Sequence, residues 1–525
     1  MPVIQANKIS YQFDSGERLF DDISCSLVAT RVGLVGRNGV GKSLFASILT
    51  DKVQPSSGSV MLNGTLASYS QLPSQLLSSS ITVAQFLGYQ EKLDAIQRIA
   101  SGDCDSKWFD IVGDDWGLEH QLSQQLTELG LPPQVTFPCH LLSGGQLARL
   151  QLWKLFNSQF DLLVLDEPSN HLDGAARSWL VEQMARFPGH ILLISHDRQL
   201  LRHMDQIWEL SKLGLVQYGG NYDFYHQQKS TERAALERQI EAVRGEQKRL
   251  DVQAQKNREK AQQREAQGNK LRKSGSQSKL ILDGMRDSAT ASVSNRLKNE
   301  TSRKAMLEQK QQGLSERYEQ IKQQKLYLEQ GSQGRGKVLN IVAGVLPFGR
   351  REPLNLILEG DSKLHLAGGN GCGKSTLLKV LQRQLSLSSG ELQINRPVCY
   401  LDQHFGLLSP ELSMLENMLE HCAGMLDNDA RTLLAGIGFR RDSVFRQASQ
   451  LSGGEKMKLA MLIVSHQPES PLLLLDEPDN HLDLDSKLLL ADALRNYQGA
   501  FVIVSHDMDF VAESGVTKSY LLESA

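Results

Sequence analysis

Two short apolar runs set the pattern of this chain. Leu162 to Leu165 and Leu472 to Leu475 are unbroken by polar residues, and each leads into Asp-Glu-Pro. Runs of that length without alternation predict strands buried on both faces, as in a parallel sheet, with the acidic pair delivered at the C-terminal end. Further apolar runs before Ser195-His196 and Ser505-His506 predict one more such strand in each half. A different period governs the middle of the chain. Leu236, Val243 and Leu250 lie seven apart with Ile240 between them, and Leu307, Leu314, Ile321 and Leu328 repeat the spacing, which predicts two coiled-coil helices. The pairs Leu236/Leu328, Val243/Ile321 and Leu250/Leu314 come into register in an antiparallel hairpin turning near residue 282. Gly268, Ser274, Gly275, Ser276 and Gly284 supply the break. A helix from about His226 to Gly268 would reach roughly 60 Å at 1.5 Å per residue.

The two halves are copies. Gly36-Arg37-Asn38-Gly39-Val40-Gly41-Lys42-Ser43 recurs as Gly368-Gly369-Asn370-Gly371-Cys372-Gly373-Lys374-Ser375, and Gln71 recurs as Gln403, both at an offset of 332. Leu142-Ser143-Gly144-Gly145-Gln146 recurs as Leu451-Ser452-Gly453-Gly454-Glu455 at 309, so the first copy holds 23 extra residues in between. That surplus predicts a small helical elaboration, not another domain. The Asp-Glu-Pro and Ser-His-Asp stretches recur at 310. Motifs repeated in order and spacing indicate a duplicated domain. The expected division is residues 1–221, a linker of 222–336, and 337–525, within the two or three domains that 525 residues imply.

Each copy carries the parts of a phosphate-binding site. Gly-x-x-x-x-Gly-Lys-Ser turns backbone N–H groups and a helix N-terminus towards phosphates, the lysine neutralises oxygens, and the hydroxyl ligates Mg²⁺. Lys42, Ser43, Lys374 and Ser375 take those roles. Asp166 and Asp476 are candidate Mg²⁺ holders, and Glu167 and Glu477 are candidates for orienting an attacking water. Gln71 and Gln403 are candidates for contacting Mg²⁺ and water, and His196 and His506 for approaching the γ-phosphate. Cys372, inside the second cradle, reads either as a thiol activated by a helix N-terminus or as a small filler.

These stretches resemble the Walker A, Q-loop, signature, Walker B and switch-histidine motifs of ATP-binding cassette proteins. Asn170-His171-Leu172-Asp173 and Asn480-His481-Leu482-Asp483 resemble the D-loop of the ABC-F subfamily. The resemblance implies an α/β fold: two P-loop NTPase nucleotide-binding domains joined by a long antiparallel α-helical hairpin. It further implies a monomer whose cassettes dimerise head to tail, an ATPase that uses ATP and Mg²⁺. The first ATP would be held by Gly36, Asn38, Gly39, Gly41, Lys42 and Ser43 and completed by Ser452 and Gly454. The second would be held by Gly368, Asn370, Gly371, Gly373, Lys374, Ser375 and Thr376 and completed by Ser143 and Gly145. Adenine would stack on Phe13 and Phe348, with Tyr11 a rival for Phe13. Two departures stand out: Leu44 replaces the second hydroxyl of the first cradle, and Glu455 replaces the usual signature glutamine.

Charge and hydropathy narrow the setting. No apolar run approaches the roughly 20 residues of a membrane span, and Met1 to Gln5 do not read as a signal peptide, so a cytoplasmic protein without membrane insertion is expected. Six scattered cysteines without a Cys-x-x-Cys pair agree with a reducing compartment and offer no zinc site. From His226 to Gln330 there are 23 basic and 14 acidic residues, a net of +9, which leaves −12 for the rest of a chain whose total is −3. The excess gathers around the expected tip, where Lys270, Arg272, Lys273 and Lys279 are candidate RNA contacts. A solvated coiled-coil surface is the alternative. Leu280, Ile281, Leu282 and Met285 interrupt the charge, either closing the hairpin or forming an apolar fingertip. By resemblance, the partner is the ribosome, with rRNA and tRNA. The linker would extend towards the P-site tRNA and peptidyl-transferase centre, acting in translation or antibiotic protection. A transporter motor subunit and an SMC-like DNA ATPase are the competing readings. Against the first stands the D-loop sequence; against the second, a coiled coil that joins two cassettes instead of splitting one.

Overall fold

The computed structural model describes residues 3–70, 80–170, 172–273, 298–299, 301–315, 318, 336–402, 405–439, 441–467 and 471–522. It divides into two units, Met1–Asp223 with Gln324–Ala525, and Phe224–Gln323.

The larger unit contains the duplicated halves. The first is built on β1 (Ile4–Gln12), β2 (Arg18–Leu27), β3 (Arg31–Val35), β4 (Ser57–Leu62), β5 (Leu66–Tyr69), β6 (Leu162–Asp166), β7 (His190–Ile194), β8 (Gln206–Ser211) and β9 (Gly214–Gly219). Among the described residues, β2-β1-β4 form an antiparallel sheet, and β5-β6-β7-β3-β8-β9 form a second sheet that is parallel except for the final β8–β9 pair. The second half repeats this with β10 (Lys337–Val345), β11 (Leu354–Glu359), β12 (Lys363–Ala367), β13 (Ser389–Ile394), β14 (Val398–Asp402), β15 (Leu472–Asp476), β16 (Phe501–Val504) and β17 (Lys518–Leu521). Its sheets are β11-β10-β13 and β14-β15-β16-β12-β17.

The apolar runs do what their lack of alternation predicts. Leu162, Leu163 and Leu165 in β6 and Leu472 to Leu475 in β15 have no exposed surface, because both faces of these strands are covered. Parallel register then fixes where the chemistry falls: Asp166 lies beside Ile194, and Asp476 beside Val504. Because β7 sits between β6 and β3, the loops leaving all three strands share one edge of the sheet, and β16 does the same between β15 and β12. The surplus of the first half is helical. Between β5 and the signature stretch it places helices Val83–Leu87, Gln90–Ala100, Ser106–Val112 and Leu118–Glu128, where the second half has Met414–His421 and Asp427–Gly436.

Helix Tyr222–Lys273 runs for 52 residues, so Gly268 lies inside it and does not end it. In the smaller unit Leu236, Ile240, Val243 and Leu307 are buried, as heptad seams require. Polar contacts between its helical stretches run antiparallel: Tyr318 OH donates to Glu237 Oε1 at 2.8 Å, Arg303 Nη2 to Glu246 Oε1 at 3.0 Å, and Lys304 Nζ to Asp251 Oδ1 at 3.2 Å. This register corrects the spacing-based one. Leu250 shares a groove with Leu307, one heptad from the Leu314 expected opposite it. Ile321, Leu328, the segment Leu280 to Met285 and Lys279 lie outside the described residues.

Candidate nucleotide-binding and catalytic site

Each cradle is a strand-to-helix turn that only glycine permits at two points. At Gly36 a Cβ would sit 2.3 Å from the Leu210 carbonyl oxygen. Gly41, at φ 93°, caps helix Lys42–Leu49 from the left-handed region, and Gly373, at φ 107°, does so for Lys374–Leu381. Neither helix has a side-chain cap, so their first N–H groups remain available to an anion. Lys42 Nζ donates to the carbonyls of Gly36 (2.8 Å) and Arg37 (3.2 Å), and Lys374 Nζ to those of Gly368 (2.7 Å) and Gly369 (2.9 Å). Both ammonium groups are thus held over their own loops. Gly39 and Gly371 face open space, and Thr376 lies on the second cradle helix. Cys372 is buried in the core beneath the cradle, which makes it a filler.

The acidic pairs meet the cradles from the neighbouring strands. Ser43 donates to Asp166 and Ser375 to Asp476, and Tyr400 OH adds a bond to Asp476 Oδ2 at 3.1 Å. Burial raises both aspartates above the ordinary carboxylate range, against the pull of these bonds and of the lysines. Glu167 and Glu477 both sit at φ 48°, a left-handed conformation that costs a non-glycine residue on the order of 1–3 kcal/mol. Their N–H groups bond back to Ile194 and Val504 at 2.8 and 2.9 Å, which fixes the twist. Sequence reading found the glutamates but not this strain.

Each glutamate faces a switch histidine. His196 Nε2 lies 3.7 Å from Glu167 Oε1, and His506 Nε2 lies 3.7 Å from Glu477 Oε1. These are not ion pairs. Burial, then the Lys374 charge, holds His506 down to about 4, and burial, then Lys42, pushes His196 well below its usual value. Both imidazoles are therefore neutral near pH 7. Burial lifts Glu167 to about 7, partly offset by Lys42, and raises Glu477 with help from Asp476 and Asp479. A carboxyl poised near neutrality suits proton exchange with a water. Both ring nitrogens of His196 and Nε2 of His506 are buried without a hydrogen-bond partner among the described residues.

These features fit a phosphate chain with Mg²⁺. Uncapped helix N-termini, ammonium groups over the loops, and hydroxyl–carboxylate pairs on the same edge are the needed donors and acceptors. Among the described residues no cluster of three or more His, Cys, Asp or Glu side chains could hold a metal by itself. A Mg²⁺ here would draw its remaining ligands from phosphate and water. Gln71 and Gln403 lie outside the described residues.

The signature serines are helix caps: Ser143 accepts from Gln146 N at 3.3 Å, and Ser452 from Glu455 N at 3.4 Å. Gln146 and Glu455 complete the same box by accepting from the serine N–H at 3.0 and 2.9 Å. Glu455 is compatible because Arg446 Nη1 pairs with it at 3.0 Å, whereas the corresponding residue of the first copy is Phe137. At Gly454 a Cβ would come within 2.5 Å of Ser486 Oγ. Phe13 and Phe348 are exposed, while Tyr11 packs between Phe13 and Phe20 at 5.5 and 6.3 Å and is thereby occupied. Lys270 is exposed on its helix, and Arg272 and Lys273 end that helix.

One set of contacts was missed from sequence. Asn38 N donates to Asp483 Oδ2 at 2.9 Å and Asn38 Nδ2 to the His481 carbonyl at 2.7 Å, while Arg37 Nε pairs with Asp485 at 3.2 Å. The first cradle thus rests on the D-loop of the second cassette. Asp173, the counterpart of Asp483, instead binds Ala176 N and Arg149 Nη2, both at 2.9 Å. The Asn-His-Leu-Asp repeat was the available signal.

Comparison with known proteins agrees with this geometry. The family model described as ABC transporter matches residues 20–170 and 352–480. A probable ATP-binding protein YheS of Escherichia coli is 32% identical over 522 residues, covering 95% of this chain and 76% of that protein. The energy-dependent translational throttle protein EttA of Mycobacterium tuberculosis is 29% identical, covering 94% of this chain and 87% of that one. In fold, the chain is similar to the archaeal ribosome recycling factor aABCE1 crystallised with stalk protein aP1. That match has a TM-score of 0.54 at 16% identity and covers 98% of this chain and 87% of the other. No helix among the described residues is long and apolar enough to cross a membrane. The chain belongs to the ABC-F branch of the ATP-binding cassette family and is an ATPase.

Proposed function

We propose that the chain is a cytoplasmic ATPase that binds the ribosome with ATP and Mg²⁺ at two sites formed between its cassettes. Residues 1–221 and 337–525 are the cassettes and 222–336 the linker. The observation that carries the paired sites is the bond from the first cradle to the second D-loop, Asn38 N to Asp483. It supports head-to-tail apposition, with Ser452 and Gly454 completing the Lys42 site and Ser143 and Gly145 completing the Lys374 site. ATP supplies the transferable phosphoryl group and Mg²⁺ neutralises its charge. Lys42 and Lys374 hold phosphate oxygens, and Ser43, Asp166, Gln71, Ser375, Asp476 and Gln403 hold the metal and its water. Glu167 and Glu477 orient the attacking water and receive its proton. Neutral His196 and His506 offer N–H groups to the γ-phosphate without competing with the lysines for charge. Phe13 and Phe348 stack on adenine.

The ribosomal reading is supported by the likeness to a translational throttle protein and by the basic linker. Lys270, Arg272, Lys273 and Lys279 contact RNA phosphates, and the linker tip acts near the P-site tRNA to modulate translation or to protect it from antibiotics. Glu167→Gln with Glu477→Gln is the test of the catalytic assignment: turnover is lost while ATP is retained, and the doubly substituted chain pellets with ribosomes. Hydrolysis at the parent rate would overturn the glutamates' role, and pelleting with membranes but not ribosomes would overturn the partner.

A further inference from the structure

The short helices that follow the two switch histidines make a contact that the duplication does not repeat. Helix Arg198–Leu201 begins two residues after His196, capped by Asp197, which accepts from Gln199 N at 2.9 Å. Helix Met508–Glu513 begins two residues after His506, capped by Asp507, which accepts from Phe510 N at 3.0 Å. Between them, Arg198 Nη1 donates to Glu513 Oε1 at 2.7 Å from a guanidinium that is only 3% exposed. Arg202 grips Asp509 with a fork, Nη1 to Oδ2 at 2.7 Å and Nη2 to Oδ1 at 3.1 Å. Its Nε donates to Asp223 Oδ1 at 3.1 Å, in the first turn of helix Tyr222–Lys273. One guanidinium therefore joins three elements: the helix after the first switch histidine, the helix after the second, and the start of the long helix.

At the repeat offset of 310, Met508 stands for Arg198, Ala512 for Arg202, Gln199 for Asp509 and His203 for Glu513. Neither symmetry-related pairing offers a cation opposite a carboxylate. A contact needed only to hold two copied surfaces together would be expected twice. This one is single, and it lies on the side where the linker helix begins.

We propose that Arg202 is a positioning residue that fixes the two switch turns against each other and against the first turn of helix Tyr222–Lys273. Movement of either turn on ATP binding is then carried to that helix. The planar fork suits this task, since its donors leave the guanidinium in fixed directions and rotation about one partner displaces the others. The inference rests on the proposed ATP sites, with His196 and His506 as γ-phosphate contacts. Loss of turnover with ATP retained in Glu167→Gln with Glu477→Gln tests those sites independently of the linker helix, and His196→Gln and His506→Gln test the histidines.

The test uses the full chain with a non-hydrolysable ATP analogue, reading hydrogen–deuterium exchange of amides 222–235 with and without nucleotide, beside steady-state turnover. In the parent, the analogue changes exchange in this stretch. Asp223→Asn abolishes that change while turnover stays near the parent value, because only the link to the long helix is cut. Asp509→Asn also abolishes it and lowers kcat several-fold with KM for ATP unchanged. Arg202→Lys, which keeps the charge and loses the fork, behaves as Asp509→Asn does. A general packing role would instead lower thermal stability without separating kcat from KM. No nucleotide response in the parent, or a parental response in Asp223→Asn, overturns the proposal; so does an Asp509→Asn chain with unchanged kcat.

Discussion

Replacing Asp483 with alanine removes two interactions of different kinds, and their separation makes a quantitative test. Asp483 Oδ1 accepts from Ser486 N at 2.8 Å, capping helix Leu484–Asn496, and such a cap contributes about 1 kcal/mol. Oδ2 accepts from Asn38 N at 2.9 Å, a charge-assisted bond worth about 1.5–3 kcal/mol. The cap stabilises its own cassette whether or not the cassettes touch. Only the second bond depends on their apposition, so about 2 kcal/mol, or about thirtyfold, is expected in the ATP concentration that closes the first site. Asp173→Ala is the control. It deletes a cap to Ala176 and a pair with Arg149, both within the first cassette, and frees no amide of the second cradle. Its stability should fall while its closure shifts by less than about fivefold, roughly 1 kcal/mol. The assay is retention of labelled ATP across a concentration series by chains that also carry Glu167→Gln and Glu477→Gln, with thermal denaturation to register the caps. Equal shifts in retention for Asp173→Ala and Asp483→Ala would refute the reasoning, because loss of a cap alone would then account for both.

Three further outcomes follow from the geometry. Cysteines at Val243 and Leu314 should crosslink in preference to cysteines at Val243 and Ile321, the pair that apolar spacing alone would favour, since seven residues span about 10 Å along a helix. His506 stays neutral to about pH 4 in the fold but titrates near 6.5 when unfolded. Below 6.5 the unfolded chain therefore binds more protons, and stability falls as pH falls. The full gap is worth about 3 kcal/mol, so in thermal denaturation the parent's margin over His506→Gln should narrow by up to that amount between pH 7 and 4. Changing Lys270, Arg272, Lys273 and Lys279 to Gln should flatten the salt dependence of ribosome pelleting by up to about three in log–log slope, at roughly 0.7–0.9 per lost phosphate contact. Turnover without ribosomes should not change.

The difference between what the sequence foretold and what it did not lies in how far each feature depends on a partner. The cradles, the buried strands and the acidic pairs were legible because each is local. A Gly-x-x-x-x-Gly-Lys-Ser turn makes its own geometry, and Leu162 to Leu165 announce a strand covered on both faces without reference to what covers them. The hairpin register was not local. A heptad seam looks the same after a slip of seven residues, so Leu236, Val243 and Leu250 fit either of two alignments equally well by apolar spacing alone. Polar neighbours break the tie. Glu237 meets Tyr318, Glu246 meets Arg303, and Asp251 meets Lys304, contacts that the expected alignment would have pulled apart. The same logic governs the cassettes. Duplication predicts equivalent contacts on both sides, and motif reading therefore assigns Asp173 and Asp483 one role. The contacts of the two aspartates nevertheless differ: Asp173 takes both Ala176 N and Arg149 Nη2 on Oδ1, whereas Asp483 caps Ser486 N with Oδ1 and gives Oδ2 to Asn38 N, and the position corresponding to Arg149 holds Lys458. The motifs determine which chemistry the two sites share, and residues outside them, such as Arg149, Arg202 and Arg446, determine how the sites differ.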